Sequence, residues 1–332
     1  MSNDTSTTAP AMLTGFTEFR NSWGGEGIEG SIPLSKAHDL IGWVPLESEK
    51  VEVTVISDDG VRIVKDPRAK VLIHPTTFEI LGRHLDTYEV HPYADTLLRD
   101  ARAISGGQLG IARVGTTRRG ARAFVQYEMT ETIQAGGPGA EPVKFRPFLN
   151  AATSLDGSLA SSWFRGTNVI ECDNSLAAAL TEGRRNGELY KTRHRKGSAV
   201  NVVDARAALN IVVGMADDYI EAINDLTSQY VSDSQWKAFL EAIAPTDEKQ
   251  GRARTLAENK QASLSRLWNT DTRVAPWRNS AWGVLSAVNT WVNWEQTVKG
   301  MDRVERNVEK VFKGDFERSD NAVLRILAEV TA

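Results

Sequence analysis

The sequence predicts an α+β protein: an antiparallel β-meander packed with helices, followed by a mainly helical C-terminal part. Three observations carry this. Apolar residues alternate with a period of two, or run in short β-rich stretches, through much of residues 51–129 and 143–172. Turn sequences separate neighbouring runs closely enough for hairpins, which make antiparallel rather than parallel pairs. From residue 202 the apolar spacing changes to three or four and largely keeps that period to the C-terminus. The chain therefore divides into a flexible lead (1–30), an α+β core (31–200) and a helical region (201–332).

Residues 1–12 are Ser/Thr-rich without periodicity and read as a disordered lead. The segment 24–30, GGEGIEG, reads as a turn or linker. It lacks the Lys-Ser/Thr pair of a phosphate loop and no apolar strand precedes it. Residues 33–41 form a short helix stopped at Gly42. Strands follow at 51–56, 61–64 and 71–73, the first two joined by the hairpin turn Ser57-Asp58-Asp59-Gly60. Pro92 suits the first turn of a helix reaching residue 104, which Gly106-Gly107 ends. The clearest hairpin pairs 108–114 with 121–129 around Thr116-Thr117-Arg118-Arg119-Gly120 and so places two arginines at its tip.

After a Gly/Pro-rich loop at 134–142 comes the unit around which the chain is organised, residues 143–180. An apolar strand turns at Leu155-Asp156-Gly157, returns through 158–164 and 168–172, and passes at Asp173-Asn174-Ser175 into a short capped helix at 176–180. Residues 189–195 supply one more strand. Helices are then expected from 202 to about 230 and at 232–243, 247–268, 280–298 and 320–330, with a charged separator at 302–313. Trp282, Trp291 and Trp294 lie on the 280–298 helix, where core or oligomer packing is the expected role.

Composition narrows the function classes. With 41% hydrophobic residues in 332, a sizeable core is available, and no apolar run approaches the ~20 residues of a membrane span. The opening MSNDTSTTAPAM lacks the basic and apolar parts of a signal peptide, so the cytoplasm of a host cell is the expected location. One cysteine, Cys172, excludes an internal disulfide and any multi-cysteine zinc site. The net charge of -4 is uneven: residues 1–98 carry -7, residues 99–206 carry +6 and the remainder -3. Only the middle third offers a basic surface to a polyanion.

Catalytic and metal motifs are absent from the sequence. Five histidines are scattered without HExxH spacing, and there is no GxSxG. Asp156, Glu171 and Asp173 are a conceivable Mg²⁺ set for a nuclease, but a turn role for Asp156 and a capping role for Asp173 explain both more simply. No cofactor is called for, and enzymatic activity is not the expected role. The positive signal is basic. Arg118 and Arg119 at the hairpin tip, Arg113 and Arg122 beside it, and Arg184, Arg185, Lys191, Arg193, Arg195 and Lys196 downstream are candidate phosphate contacts. Trp163 and Phe164, with Phe145 and Phe148 on the neighbouring strand, are candidate base-stacking residues if exposed.

Leu155-Asp156-Gly157-Ser158, then Val169-Ile170-Glu171-Cys172-Asp173-Asn174-Ser175-Leu176, then Arg193-His194-Arg195 resemble, in that order, a family of unknown function found in actinobacterial phages, prophages and plasmids. The resemblance covers roughly residues 51–213 and includes the later helix from Ala281-Trp282-Gly283 to Trp294. Leu155 stands where that family often has histidine, and Arg195 where it often has threonine. The β-meander and mobile-element setting are in turn similar to those of phage single-strand annealing proteins of the Red-beta, RecT and Erf type. The resemblance implies a phage-encoded protein that binds single-stranded DNA and promotes annealing in recombination or replication, as a homo-oligomer. The alternatives are an interaction protein that binds a host factor or itself, and a metal-dependent nuclease.

Overall fold

A computed structural model describes residues 12–14, 31–48, 51–105, 109–169, 174–176, 189–195, 197–198, 215–247, 249–300 and 303–332. The expectations placed on segments 1–11, 24–30, 177–180 and 202–214, and on Glu171, Cys172, Asp173, Arg184, Arg185 and Lys196, lie outside those residues. The chain forms two compact units that interleave in sequence. One comprises Met1–Thr130, Phe148–Phe164 and Asn186–Val212; the other comprises Glu131–Pro147, Arg165–Arg185 and Val213–Ala332.

The first unit is β-rich. Its elements begin with β1 (Met12–Thr14), helix α1 (Leu34–Ile41), β2 (Leu46–Glu47), β3 (Val51–Ser57), β4 (Gly60–Asp66), β5 (Ala69–Ile73) and β6 (Ile80–Leu85). A π-helical segment, Ala94–Asp100, runs into α2 (Ala101–Ile104), and β7 (Gly110–Thr117) and β8 (Arg122–Glu128) form the hairpin. The expected role of Pro92 is met, since its carbonyl accepts the first helical bond from the Thr96 N–H at 2.9 Å. Strands β10 (Val143–Ser154) and β11 (Ser161–Val169) are shared between the units, and β13 (Leu189–Thr192) completes this one.

β7, β8, β10, β11 and β13 are joined by antiparallel pairing in that order, with β1 on the outer side of β7. Every residue of β8 is buried, which is the pattern of a central strand covered on both faces. Tyr127 on β8 donates from its hydroxyl to the Leu97 carbonyl at 2.8 Å and so fixes the π-helical segment against the sheet. β5 pairs with β2 and β6 in a smaller sheet, and among the described residues β3 and β4 pair only with each other.

The second unit is mostly helical. Its strands are β9 (Ile133–Ala135), which pairs with Val143, Lys144 and Phe145 of β10, and β12 (Asn174–Leu176), which pairs with Thr167–Val169 of β11. Its helices are α3 (Met215–Ser228), α4 (Asp233–Ile243), α5 (Gly251–Thr270), α6 (Ala281–Thr290), α7 (Arg303–Lys313) and α8 (Asp315–Thr331). α4 starts with a capping box in which Ser232 and Gln235 satisfy each other's backbone N–H groups. All ten residues of α6 are buried, so this helix is the axis of the core, with Trp282, Leu285 and Val288 inside. Gly283 permits its close approach, because a Cβ there would lie 2.2 Å from the Trp277 carbonyl oxygen. Trp236 and Trp268 stack with ring centroids 4.4 Å apart.

Two sequence expectations are corrected in this unit. Residues 174–176 were expected to lead a capped helix, yet Asn174–Leu176 are a strand. Hydrogen bonding to β11 outweighs the local preference of Asn and Ser for a helix cap. Of the separator expected at 302–313, Arg303–Lys313 are helix α7. Its charges are used: Arg303 and Arg306 donate to the Asn293 and Val292 carbonyls that end the π-helical stretch Trp291–Glu295. Among the described residues no helix is long and apolar enough to cross a membrane.

Candidate nucleic-acid interface

The tip of the β7–β8 hairpin is strained. Arg118 and Arg119 hold φ of 52° and 57°, the left-handed region that glycine or asparagine occupies more readily. Gly120 follows at 91°, and its carbonyl accepts from the buried Tyr93 hydroxyl at 2.8 Å. Two consecutive arginines in this conformation cost about 1–2 kcal/mol each relative to an unstrained turn.

Arg119 extends into solvent, 82% exposed, with a single 3.6 Å pairing to the half-exposed Glu79. Arg118 turns towards the β10–β11 connection, where its Nη1 donates to Asp156 Oδ2 at 3.1 Å. Asp156 is placed by its own turn: Oδ1 accepts the Ser158 N–H at 2.9 Å and also the Ser158 hydroxyl. Burial pushes the Asp156 carboxyl up, but the Ser158 and Ser154 hydrogen bonds and the Arg122 charge outweigh it, so its pKa lies below the ordinary carboxylate value. It is an ionised clasp, with its oxygens committed to the turn.

Behind the turn stands a column of rings that no sequence motif announced. His84 and Tyr88 stack at 3.7 Å and 10°, Tyr88 and His194 at 4.8 Å and 9°, and His91 meets His194 at 4.3 Å. Each ring is tied to backbone or hydroxyl groups. His84 Nε2 donates to the Leu155 carbonyl at 2.7 Å, and the Tyr88 hydroxyl donates to the Ser154 carbonyl at 3.0 Å. His194 Nδ1 and Nε2 each lie 3.1 Å from a carbonyl oxygen, of Glu89 and Leu159 respectively. His91 Nδ1 lies 2.6 Å from Ser161 Oγ, which is 2.7 Å from Thr153 Oγ1.

Burial lowers the His91 pKa to about 4, with the neighbouring His194 adding to the effect, and burial likewise lowers that of His194. Burial therefore disfavours the charged form of both rings, while the Glu89 and Leu159 carbonyls oppose this at His194. Ser161 is fully buried, so the hydroxyl chain braces the sheet and presents no nucleophile. Among the described residues no group of three His, Cys, Asp or Glu side chains is arranged to hold a metal ion.

The candidate residues separate by burial. Arg118, Arg119, Arg193 and Arg195 are all exposed. Arg195 forms an isolated bridge with Tyr88, which puts the Arg193-His194-Arg195 segment beside the Leu155-Asp156-Gly157-Ser158 turn. Arg122, expected as a phosphate contact, is 5% exposed; its Nε donates to Ser158 Oγ at 2.8 Å and it serves the turn instead. Arg113 is half-buried. Trp163 is fully buried, as are Phe145 and Phe148, so none of them is placed to stack on a base; Phe164 is half-buried. Trp163 lies on the inner side of β11, with its ring 5.8 Å from that of Tyr190.

A family model matches residues 80–315, a span that holds the arginine tip, the turn and the ring column. The chain belongs to the DUF932 family, described as a domain of unknown function. No curated protein and no solved structure matches the chain. The DUF932 match begins at β6 and leaves β2, β3, β4 and β5 outside it.

Proposed function

We propose that this DUF932 chain binds single-stranded DNA through its phosphates, without reading sequence, and promotes annealing in recombination or replication of a phage or related element. The observation that carries the reading is the strained tip that projects Arg119 into solvent, in the same unit as the exposed Arg193 and Arg195. Guanidinium groups at exposed loop ends neutralise backbone charge and release counterions. With the carboxylate of Asp156 committed to its turn and to Arg118, the site suits binding better than metal-dependent cleavage.

The test is charge reversal at the residues the fold does not use. Arg119→Glu and Arg193→Glu should each weaken binding of a labelled single-stranded oligonucleotide and reduce the slope of log K against log salt by at least about 0.7, the share of one phosphate on a single strand. Unchanged affinity and slope in both variants would remove this surface from the binding site.

A further inference from the structure

Every Phe, Tyr and Trp described in the β-rich unit is buried or half-buried except one. Phe78, in the connection between β5 and β6, is 70% exposed. A single exposed phenylalanine is ordinary on a protein surface, so its position is what matters. Two contacts put this one beside the arginine tip. The carboxylate of Glu79, the next residue, lies 3.6 Å from the Arg119 guanidinium. His74, which opens the same connection, packs so close to the tip that a Cβ on Gly120 would lie 3.3 Å from its ring. The connection is also built to hold its shape. The His74 carbonyl accepts from the Phe78 N–H at 3.0 Å, and the His74 N–H donates to the Glu79 carbonyl at 2.9 Å. His74 Nδ1 accepts from the Thr76 and Thr77 N–H groups, each at 3.2 Å, and its ring rests against Trp43 with centroids 4.4 Å apart. Phe78 is therefore presented to solvent from a braced turn that adjoins Arg119.

We infer that Phe78 is the base-stacking residue of this interface, and that through it the site distinguishes single-stranded DNA from duplex. The inference rests on the binding reading above and adds to it the group that is recognised. Guanidinium groups take the phosphates of either form, so Arg119 alone gives no preference. An exposed ring gives one, because the base faces of a single strand are open while those of a duplex are covered by their neighbours in the stack. A phenylalanine beside an arginine meets the two features that a nucleotide of a single strand presents together, a flat base and a phosphate. The ring has no polar atom to read a base edge, so this stacking tolerates any sequence.

The experiment is an anisotropy titration of the full chain with three labelled ligands: a single-stranded oligonucleotide, the duplex of the same sequence, and an abasic single strand of equal length. Phe78→Ala should weaken binding of the single strand about tenfold, the share of one stacked base. Binding of the duplex and of the abasic strand should not change, and neither should the salt slope. Phe78→Trp should bind as the wild type does, while Phe78→Leu, which keeps apolar bulk without a flat face, should lose as much as Phe78→Ala. Unchanged single-strand affinity in Phe78→Ala would overturn the inference. So would an equal loss on all three ligands, which is what damage to the turn produces. The binding reading fails differently: a wild type that binds none of the three removes both, whereas Arg119→Glu without effect beside a tenfold loss in Phe78→Ala removes the phosphate contact and leaves the stacking residue in place.

Discussion

Replacing Asp156 with alanine removes two supports from the β10–β11 turn at once. The first is the acceptor for the Ser158 N–H, a local hydrogen bond of about 1 kcal/mol. The second is the carboxylate 3.9 Å from the Arg122 guanidinium, whose side chain is only 6% exposed. Taking the partner from a buried charge costs about 3–5 kcal/mol when the pair is tight. Arg122 keeps its 2.8 Å bond to Ser158 and the pair is not in closest contact, which brings the combined expectation for Asp156→Ala to about 2–4 kcal/mol.

Asp156→Asn keeps an acceptor and loses only the charge, so its cost should be about half as large. Urea unfolding at pH 7 measures both. The carboxyl pKa is lowered in the folded state, so its contribution is complete above the unfolded value near 3.9 and is lost as the pH falls through the folded one. The difference between wild type and Asp156→Asn should therefore shrink at pH 3. A loss below about 0.5 kcal/mol for Asp156→Ala would place it among neutral surface changes and refute the clasp.

Two further expectations concern buried titrating groups. Asp320 on α8 is completely buried; burial holds its pKa well above the ordinary value against the opposing effect of Asn289, with the Glu317 charge adding to the shift. Stability from such a group is present below pH 3.9 and lost as the pH rises, so Asp320→Asn should stabilise the protein by about 1–2 kcal/mol at pH 7 and give no advantage near pH 3; destabilisation at pH 7 would contradict this. For His91, whose pKa is lowered to about 4, the sign is opposite: stability is complete above pH 6.5 and falls as the pH drops towards 4. Allowing for its residual contact with solvent, about 1–2 kcal/mol should be lost over that window, and a His91→Asn variant whose pH profile is as steep as the wild type's would exclude His91 as the source.

Sequence alone was sufficient where the cause is local. The Ser57–Gly60 turn, the Thr116–Gly120 tip and the Asp156-Gly157 turn were all legible, because turn chemistry and alternation act within a few residues. Long-range pairing was not. His84, Tyr88, His91 and His194 form one column although up to 110 residues separate them. No spacing rule links them, since they meet through the pairing of β10, β11 and β13. Trp163 and Arg122 were named as candidates, Trp163 only if exposed, and the structure buries both, because β8 and the start of β11 are covered on both faces by segments distant in sequence, which local alternation does not reveal. Arg119 lies at the expected hairpin tip and is exposed; Arg193 and Arg195, expected within a strand at 189–195, follow β13, which ends at Thr192, and are exposed on that connection.

The most direct test of the central claim is a fluorescence-anisotropy titration of the purified protein with a labelled single-stranded oligonucleotide at low and moderate salt, with the duplex of the same sequence for comparison. Engagement of four arginines, Arg118, Arg119, Arg193 and Arg195, predicts a log K against log salt slope of about -3 on the single strand, and the proposed annealing role predicts preference for that strand over the duplex. No binding at low salt, or equal binding to duplex, would contradict the account.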